Sequence, residues 1–265
     1  MAEPTSPNLI LSINAGSSSV KITVYSPPSP SSPTYPNPTP LANASIDGIT
    51  SPPAKLTYSL GSETKAKNQE LPKDTVSDQA TAFTHILSHL ISDSELKELK
   101  KDTDITHITH RIVHGGSYSH MEVLNPSTYH KLEALSDLAP LHNTVGLQIV
   151  RAAHEKLPHA ENWAYFDSAF HQSIPEAIRT YPIDQDVAKK NGLRKYGFHG
   201  ISYAFIARAV GEYLGKEEVS LVALHLGSGA SACAISNGKS LDTSMGLTPL
   251  AGLPGGSRSG DVDPR

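Results

Sequence analysis

Asn14 to Lys21 reads NAGSSSVK, a turn of glycine and serines between two short β-branched runs. Such a turn exposes backbone N–H groups and the hydroxyls of residues such as Ser17 and Ser19, which suit phosphate oxygens, and Lys21 can neutralise them. A plain serine-rich hairpin turn explains the same residues, and the GxxxxGK[ST] spacing of a P-loop is absent. A second turn of this kind, His225-Leu226-Gly227-Ser228-Gly229, favours the phosphate reading, because two such hairpins can hold successive phosphates of one nucleotide.

Two arginines are candidate anion clamps. HRIVHGG (His110 to Gly116) sets Arg111 at the end of an apolar strand beside a glycine turn, where its planar fork needs a ligand anion or a structural carboxylate. GGSRSGD (Gly255 to Asp261) presents Arg258 on a glycine-rich loop. The spacing of His107, His110 and His114 converges on a metal only in a helix, and this segment alternates as a strand. FDSAFH sets Asp167 at a strand end, as a metal-directing or substrate-orienting carboxylate or as a helix cap. KYGFHG offers His199 as a donor to a transferring phosphoryl group or as a satisfied core histidine. PLHN ends with His142 at a helix start, where Asn143 reads as an N-cap.

The elements that position these residues follow from periodicity. Leu9–Ile13 and Val20–Tyr25 are strands, Ser77–Ile91 is an amphipathic helix, Ile105–Val113 is a strand, Asn143–Leu157 is a helix, and Ala164–Phe166 ends a strand at Asp167. Ser202–Leu214 is helical, Val219–Leu226 and Ala230–Ile235 are strands, and Asn237-Gly238 signals a type I′ turn. Ser26 to Pro40 carries seven prolines in fifteen residues and is expected to be an extended, exposed insertion without strand or helix. SINAGSSSVKITVY and ALHLGSGASACAIS share one arrangement of strand, Gly–Ser turn and strand, which points to two related domains.

Composition narrows the partners. The 265 residues are 38% hydrophobic, enough for substantial cores, and 22 basic against 26 acidic residues give a net charge of −4 without a basic block. Nucleic acid and membrane surfaces are therefore not expected, and small molecules are. Cys233 is the only cysteine, which excludes an intrachain disulfide, and the amino terminus lacks the basic and apolar regions of a signal peptide. A soluble cytoplasmic protein is expected.

Taken in order, NAGSSSVK, HRIVHGG, PLHN, FDSAFH, RKYGFHG, HLGSGAS and DTSMGLTPLAGL…SRSGDVDP resemble the acetokinase family of the sugar kinase, Hsp70 and actin superfamily. The resemblance implies an α/β fold of two duplicated ribonuclease H-like domains with mixed sheets, here residues 1–168 and 169–265, and phosphoryl transfer between ATP and acetate. It implies Mg²⁺ held with the help of Asn14, ATP phosphates at Lys21, Ser17, Ser19 and His225 to Gly229, and acetate or acetyl phosphate at Arg111. It also implies Asp167 as the catalytic carboxylate, His199 and Arg258 as transition-state donors, His142 in the active site, and a methyl pocket of Val113, Leu141, Phe198 and Pro249. Members are usually homodimers. Propionate, butyrate and pyrophosphate-dependent kinases share the scaffold.

Three departures qualify that likeness. Ser228 stands where the family has an asparagine, and Tyr203 stands where it usually has a second histidine. The third is length: family members continue well beyond SRSGDVDP, which implies a chain truncated within its second domain. Much of the adenosine site and a late Mg²⁺-directing glutamate would then be missing, stability alone would be poor, and an inactive remnant becomes an alternative.

Overall fold

The computed structural model describes residues 8–27, 38–135, 140–256 and 258–263. Among these, eleven strands and six α-helices follow in the order β1 (Leu9–Ala15), β2 (Ser19–Ser26), β3 (Thr39–Asp47), β4 (Lys55–Leu60), β5 (Glu63–Glu70), α1 (Gln79–Ser92), β6 (Ile105–Ile112), β7 (Glu122–Val123), α2 (Pro126–Ala134), α3 (Pro140–Lys156), β8 (Glu161–Phe166), α4 (Glu176–Arg179), α5 (Gln185–Asn191), α6 (Gly200–Leu214), β9 (Leu221–Leu226), β10 (Ala230–Ser236) and β11 (Lys239–Thr243). The fold is mixed α/β, with an eight-stranded sheet in the order β5-β4-β3-β2-β1-β6-β8-β7 and a three-stranded sheet in the order β11-β10-β9.

Two compact units result. The first comprises residues 1–111, 123–133 and 141–164, and the second comprises 112–122, 134–140 and 165–265. In the first unit the β1–β2 hairpin is antiparallel with Asn14 opposite Lys21, and β6 runs parallel to β1 with His110 opposite Ile13. Leu9, Leu11 and Ile13 of β1, Val20, Ile22 and Val24 of β2 and Ile105 and Ile108 of β6 face one core, joined by Phe83, Ile86 and Leu90 of α1. The alternation that buries them turns Asn14, Lys21 and Arg111 to the opposite face of the sheet. Helix α1 begins where the sequence says it should: Asp78 accepts from the Thr81 N–H while the Thr81 hydroxyl accepts from the Asp78 N–H, a capping box.

In the second unit β9 and β10 form the other Gly–Ser hairpin, with His225 opposite Ser231. Asn237 and Gly238 both have positive φ between β10 and β11, as a type I′ turn requires. Tyr203, Ala207, Val219, Ala223, Cys233 and Ile235 pack α6 onto this sheet. The opposite face of β9 leaves Val222, Leu224 and Leu226 exposed.

Two expectations need correction. Thr39 and Pro40 open strand β3, and Ser26 closes β2, so the ends of the proline-rich stretch are strand; residues 28–37 lie outside the described residues. Pro40 is tolerated because it sits at the strand start, beside a register shift against β2 and beyond the last β3–β4 pair, Ala42 with Leu60. Asn143 is not an N-cap: α3 begins at Pro140, whose fixed φ and missing N–H suit a first helical position, and Asn143 is a buried residue of its first turns.

Three buried histidines anchor these elements. His110 Nε2 meets Asn162 Oδ1 at 2.8 Å, and His171 meets Ser240 Oγ and the Phe198 carbonyl oxygen at 2.8 and 2.9 Å. His114 stacks edge-on against Tyr196 and Phe198. Burial pushes each of the three imidazoles down to about 4. The unfolded chain therefore takes up protons first as pH falls, and the contribution present above pH 6.5 is lost towards pH 4. Each histidine accounts for about 3 kcal/mol over that range. Urea denaturation at a series of pH values is expected to show stability falling between pH 6.5 and 4, with a shallower slope in His110→Gln.

Candidate active site

In the first unit the exposed ends of β1, β2 and β6 carry Asn14, Lys21 and Arg111. Arg111 Nη1 donates to Asn14 Oδ1 at 3.0 Å across the β1–β6 pair. The turn between β1 and β2 is held by its carbonyl groups. Gln79 Nε2, at the start of α1, donates to the Gly16 and Ser17 carbonyl oxygens at 3.3 and 2.8 Å, and the Ile49 N–H donates to that of Ser18 at 3.1 Å. Fixing the carbonyl side in this way orients the Ser17 to Ser19 backbone, and Gln79 is a positioning residue that no sequence signal singled out. Leu141 and His142 lie in the first turn of α3, and their side chains are outside the described residues.

The second unit gathers the other candidates. The Asp167 N–H donates to the Ile112 carbonyl oxygen at 3.1 Å, and the Gly200 N–H donates to the Asp167 carbonyl oxygen at 2.8 Å. That second bond ties the end of β8 to the start of α6. Immediately before it, His199 is the N-cap of α6 with φ 61°, a left-handed conformation that a histidine adopts at some cost. Its ring is thereby turned to the β9–β10 hairpin, where Nδ1 lies 2.8 Å from Ser231 Oγ. The His199 and His225 rings stack at 4.0 Å, and His225 Nδ1 lies 3.0 Å from Ser202 Oγ.

Arg258 completes this cluster. A backbone bridge from the Gly255 N–H to the Arg258 carbonyl oxygen, 2.9 Å, closes its loop, and its Nη1 donates to the Pro249 carbonyl oxygen at 3.4 Å. The guanidinium lies directly over Gly229, in space that a Cβ there would occupy, and His199 Cε1 borders the same position. One cation and two imidazoles thus converge on the turn formed by Gly227, Ser228 and Gly229. A site of this kind can bind an anion and neutralise charge that develops on its oxygens.

The family match covers the whole arrangement: the model for the Acetokinase family spans residues 9–265. The chain belongs to the acetokinase family. A probable acetate kinase of Emericella nidulans is 55% identical over 257 residues, which are 96% of this chain and 59% of that protein. The crystal structure of Porphyromonas gingivalis acetate kinase superposes with a TM-score of 0.79 at 35% identity, and that of a propionate kinase from Francisella tularensis with 0.81 at 34%. Each superposition covers 97% of this chain and 62% of the other. The chain thus spans about 60% of the length of these acetokinase relatives.

Val113 and Phe198 lie in one buried apolar cluster with Tyr196 and Met245. Ser202, Ser231 and Tyr203, which hold the two histidines, were not read as site residues, because lone hydroxyls on a helix and a strand carry no spacing signal. Among the described residues, no helix is long and apolar enough to cross a membrane.

Two glycines of the cluster differ in what they tolerate. A Cβ on Gly200 would collide with the Asp167 carbonyl oxygen, which is backbone, whereas one on Gly229 would collide with the far end of the Arg258 side chain and touch His199 Cε1 at ordinary contact distance. Gly200→Ala is therefore expected to lose about 1–3 kcal/mol in urea denaturation. Gly229→Ala is expected to change stability by less than about 1 kcal/mol while displacing the guanidinium.

Proposed function

We propose that this chain carries the phosphoryl-transfer machinery of an acetate kinase, which interconverts ATP and acetate with ADP and acetyl phosphate. The observation that carries the reading is the convergence of His199, His225 and Arg258 on the Gly227–Gly229 turn. The naming of the 55% identical relative as a probable acetate kinase supports the substrate.

An acetate carboxylate oxygen attacks the γ-phosphorus in line, and the bond from that phosphorus to the β,γ-bridging oxygen breaks, leaving ADP. Charge spreads over the equatorial oxygens, so catalysis is chiefly positioning and charge neutralisation. Arg258 and His199 donate to those oxygens, and the hairpin from His225 to Gly229 lines the phosphates with Leu226 and Ser228; the family resemblance assigns phosphate contacts to Lys21, Ser17 and Ser19 as well. Arg111 holds the carboxylate of acetate, with His142 beside the substrate. Val113, Phe198 and Pro249 are assigned to its methyl group, and the family resemblance adds Leu141. Acetate is already ionised at neutral pH, so Asp167 is not required as a general base.

The reading includes a divalent ion, Mg²⁺, which supplies charge neutralisation on the β- and γ-phosphates. Asp167 and Asn14 each carry a hard oxygen donor of the kind that would hold such an ion. Asn14 Oδ1 accepts from Arg111 in the structure, and its second lone pair is the one that would hold the ion. A homodimer is part of the same reading.

The test is a hydroxamate assay for acetyl phosphate formed from ATP, Mg²⁺ and acetate, with propionate, butyrate and pyrophosphate in parallel. Acetate with ATP is expected to be preferred, and Arg258→Ala and Arg111→Ala are each expected to lower turnover by about 10²–10³-fold. Full activity in either arginine variant, or a preference for a longer acid, would overturn the assignment of these residues or of the substrate. One methylene in the pocket is worth about 1–3 kcal/mol, enough to read in kcat/KM.

A further inference from the structure

We infer that Tyr203 and Ser231 are positioning residues that hold His199 in the tautomer protonated at Nε2. The inference rests on the proposed role of His199 as a donor to a phosphoryl oxygen, and it concerns how this particular chain prepares that donor.

Three buried side chains form a line. Tyr203 Oη lies 2.5 Å from Ser231 Oγ, and Ser231 Oγ lies 2.8 Å from His199 Nδ1. Tyr203 and Ser231 have no solvent exposure, so each of their protons must find an acceptor within the protein. Burial raises the pKa of the phenol, so Tyr203 remains neutral with its own proton to place. That proton goes to Ser231 Oγ. The Ser231 proton then goes to His199 Nδ1, which must be the unprotonated nitrogen of a neutral ring. The ring proton is left on Nε2. A histidine that donates through Nε2 needs this state, and the other tautomer would put its only proton on the wrong nitrogen.

The placement of the chain members explains why they hold. Tyr203 sits on α6 four residues after His199, so the phenol and the imidazole lie on one face of the helix start. Ser231 comes from β10, opposite His225. The relay therefore links the helix carrying His199 to the hairpin carrying His225. Position 203, read from the sequence as a departure from the family pattern, gains a specific role.

Two-bond ¹H–¹⁵N NMR on the histidine-labelled 265-residue chain reports the tautomer of each imidazole, and loss of a signal in His199→Gln assigns His199. The expected result is an Nε2–H pattern for His199 at neutral pH, which changes to a mixture of tautomers in Tyr203→Phe and in Ser231→Ala and is retained in Ser231→Thr. The two disruptive variants break different links, so either one suffices if the other fails to fold. An Nδ1–H pattern in the parent chain, or an unchanged pattern in a folded Tyr203→Phe or Ser231→Ala, would overturn the inference. Turnover measured in the same samples separates the two layers. A tautomer shift in a chain without phosphoryl transfer sinks the proposed function and leaves the relay standing. Activity with an unchanged tautomer does the reverse.

Discussion

The hydrogen bond from the Gly200 N–H to the Asp167 carbonyl oxygen fixes the start of α6 in the second unit. It brings a backbone N–H of the first turn of α6 to the residue that follows β8, at a distance that only a glycine allows. His199, the residue before it, adopts a left-handed conformation, and its ring meets the β9–β10 hairpin at Ser231. Helix starts leave N–H groups without intrahelical partners, and here one of them is used to lock the site rather than being capped by a side chain. The N-cap side chain is left for another contact: His199 makes no capping bond, and its Nδ1 meets Ser231 Oγ instead.

The first unit solves a similar problem with different means. Its Gly–Ser turn is steadied by Gln79 and Ile49, which take up the carbonyl groups on one side of the turn. Strand alternation then places Asn14 and Lys21 on one face, and Arg111 joins them through its bond to Asn14 Oδ1. In each unit an apolar strand pair supplies rigidity, and the polar residues stand at its end, where a pleated backbone directs side chains without relying on loop order.

Much of this was legible in the sequence because the signals were local. The β1–β2 and β9–β10 hairpins, α1 and the Asn237-Gly238 turn are written in runs of apolar residues and in turn residues with a fixed backbone requirement. Strands β4 and β5, KLTYSL and ETKAKNQE, were not legible: their alternation is weak, and β5 is mostly exposed at the sheet edge, so pairing rather than burial defines it. The start of α3 was misread because Pro140 and Asn143 each fit a helix boundary, and only the backbone decides between them. Motifs single out Asp167, His199 and Arg258 as candidates, but the partners of His199 come from positions 203 and 231, and no local pattern joins a helix tyrosine to a strand serine.

The central claim is that the Gly227–Gly229 turn, with His199, His225 and Arg258 around it, is an anion subsite in its own right. Titrating the ¹⁵N-labelled chain with inorganic pyrophosphate tests this most directly, because a bare diphosphate needs no nucleoside pocket. Saturable, salt-sensitive shifts are expected at the Ser228 and Gly229 amides and at the Arg258 Nε–H, and they should be lost in Arg258→Ala. Absence of saturable shifts at that turn, or shifts confined to other parts of the chain, would contradict the claim.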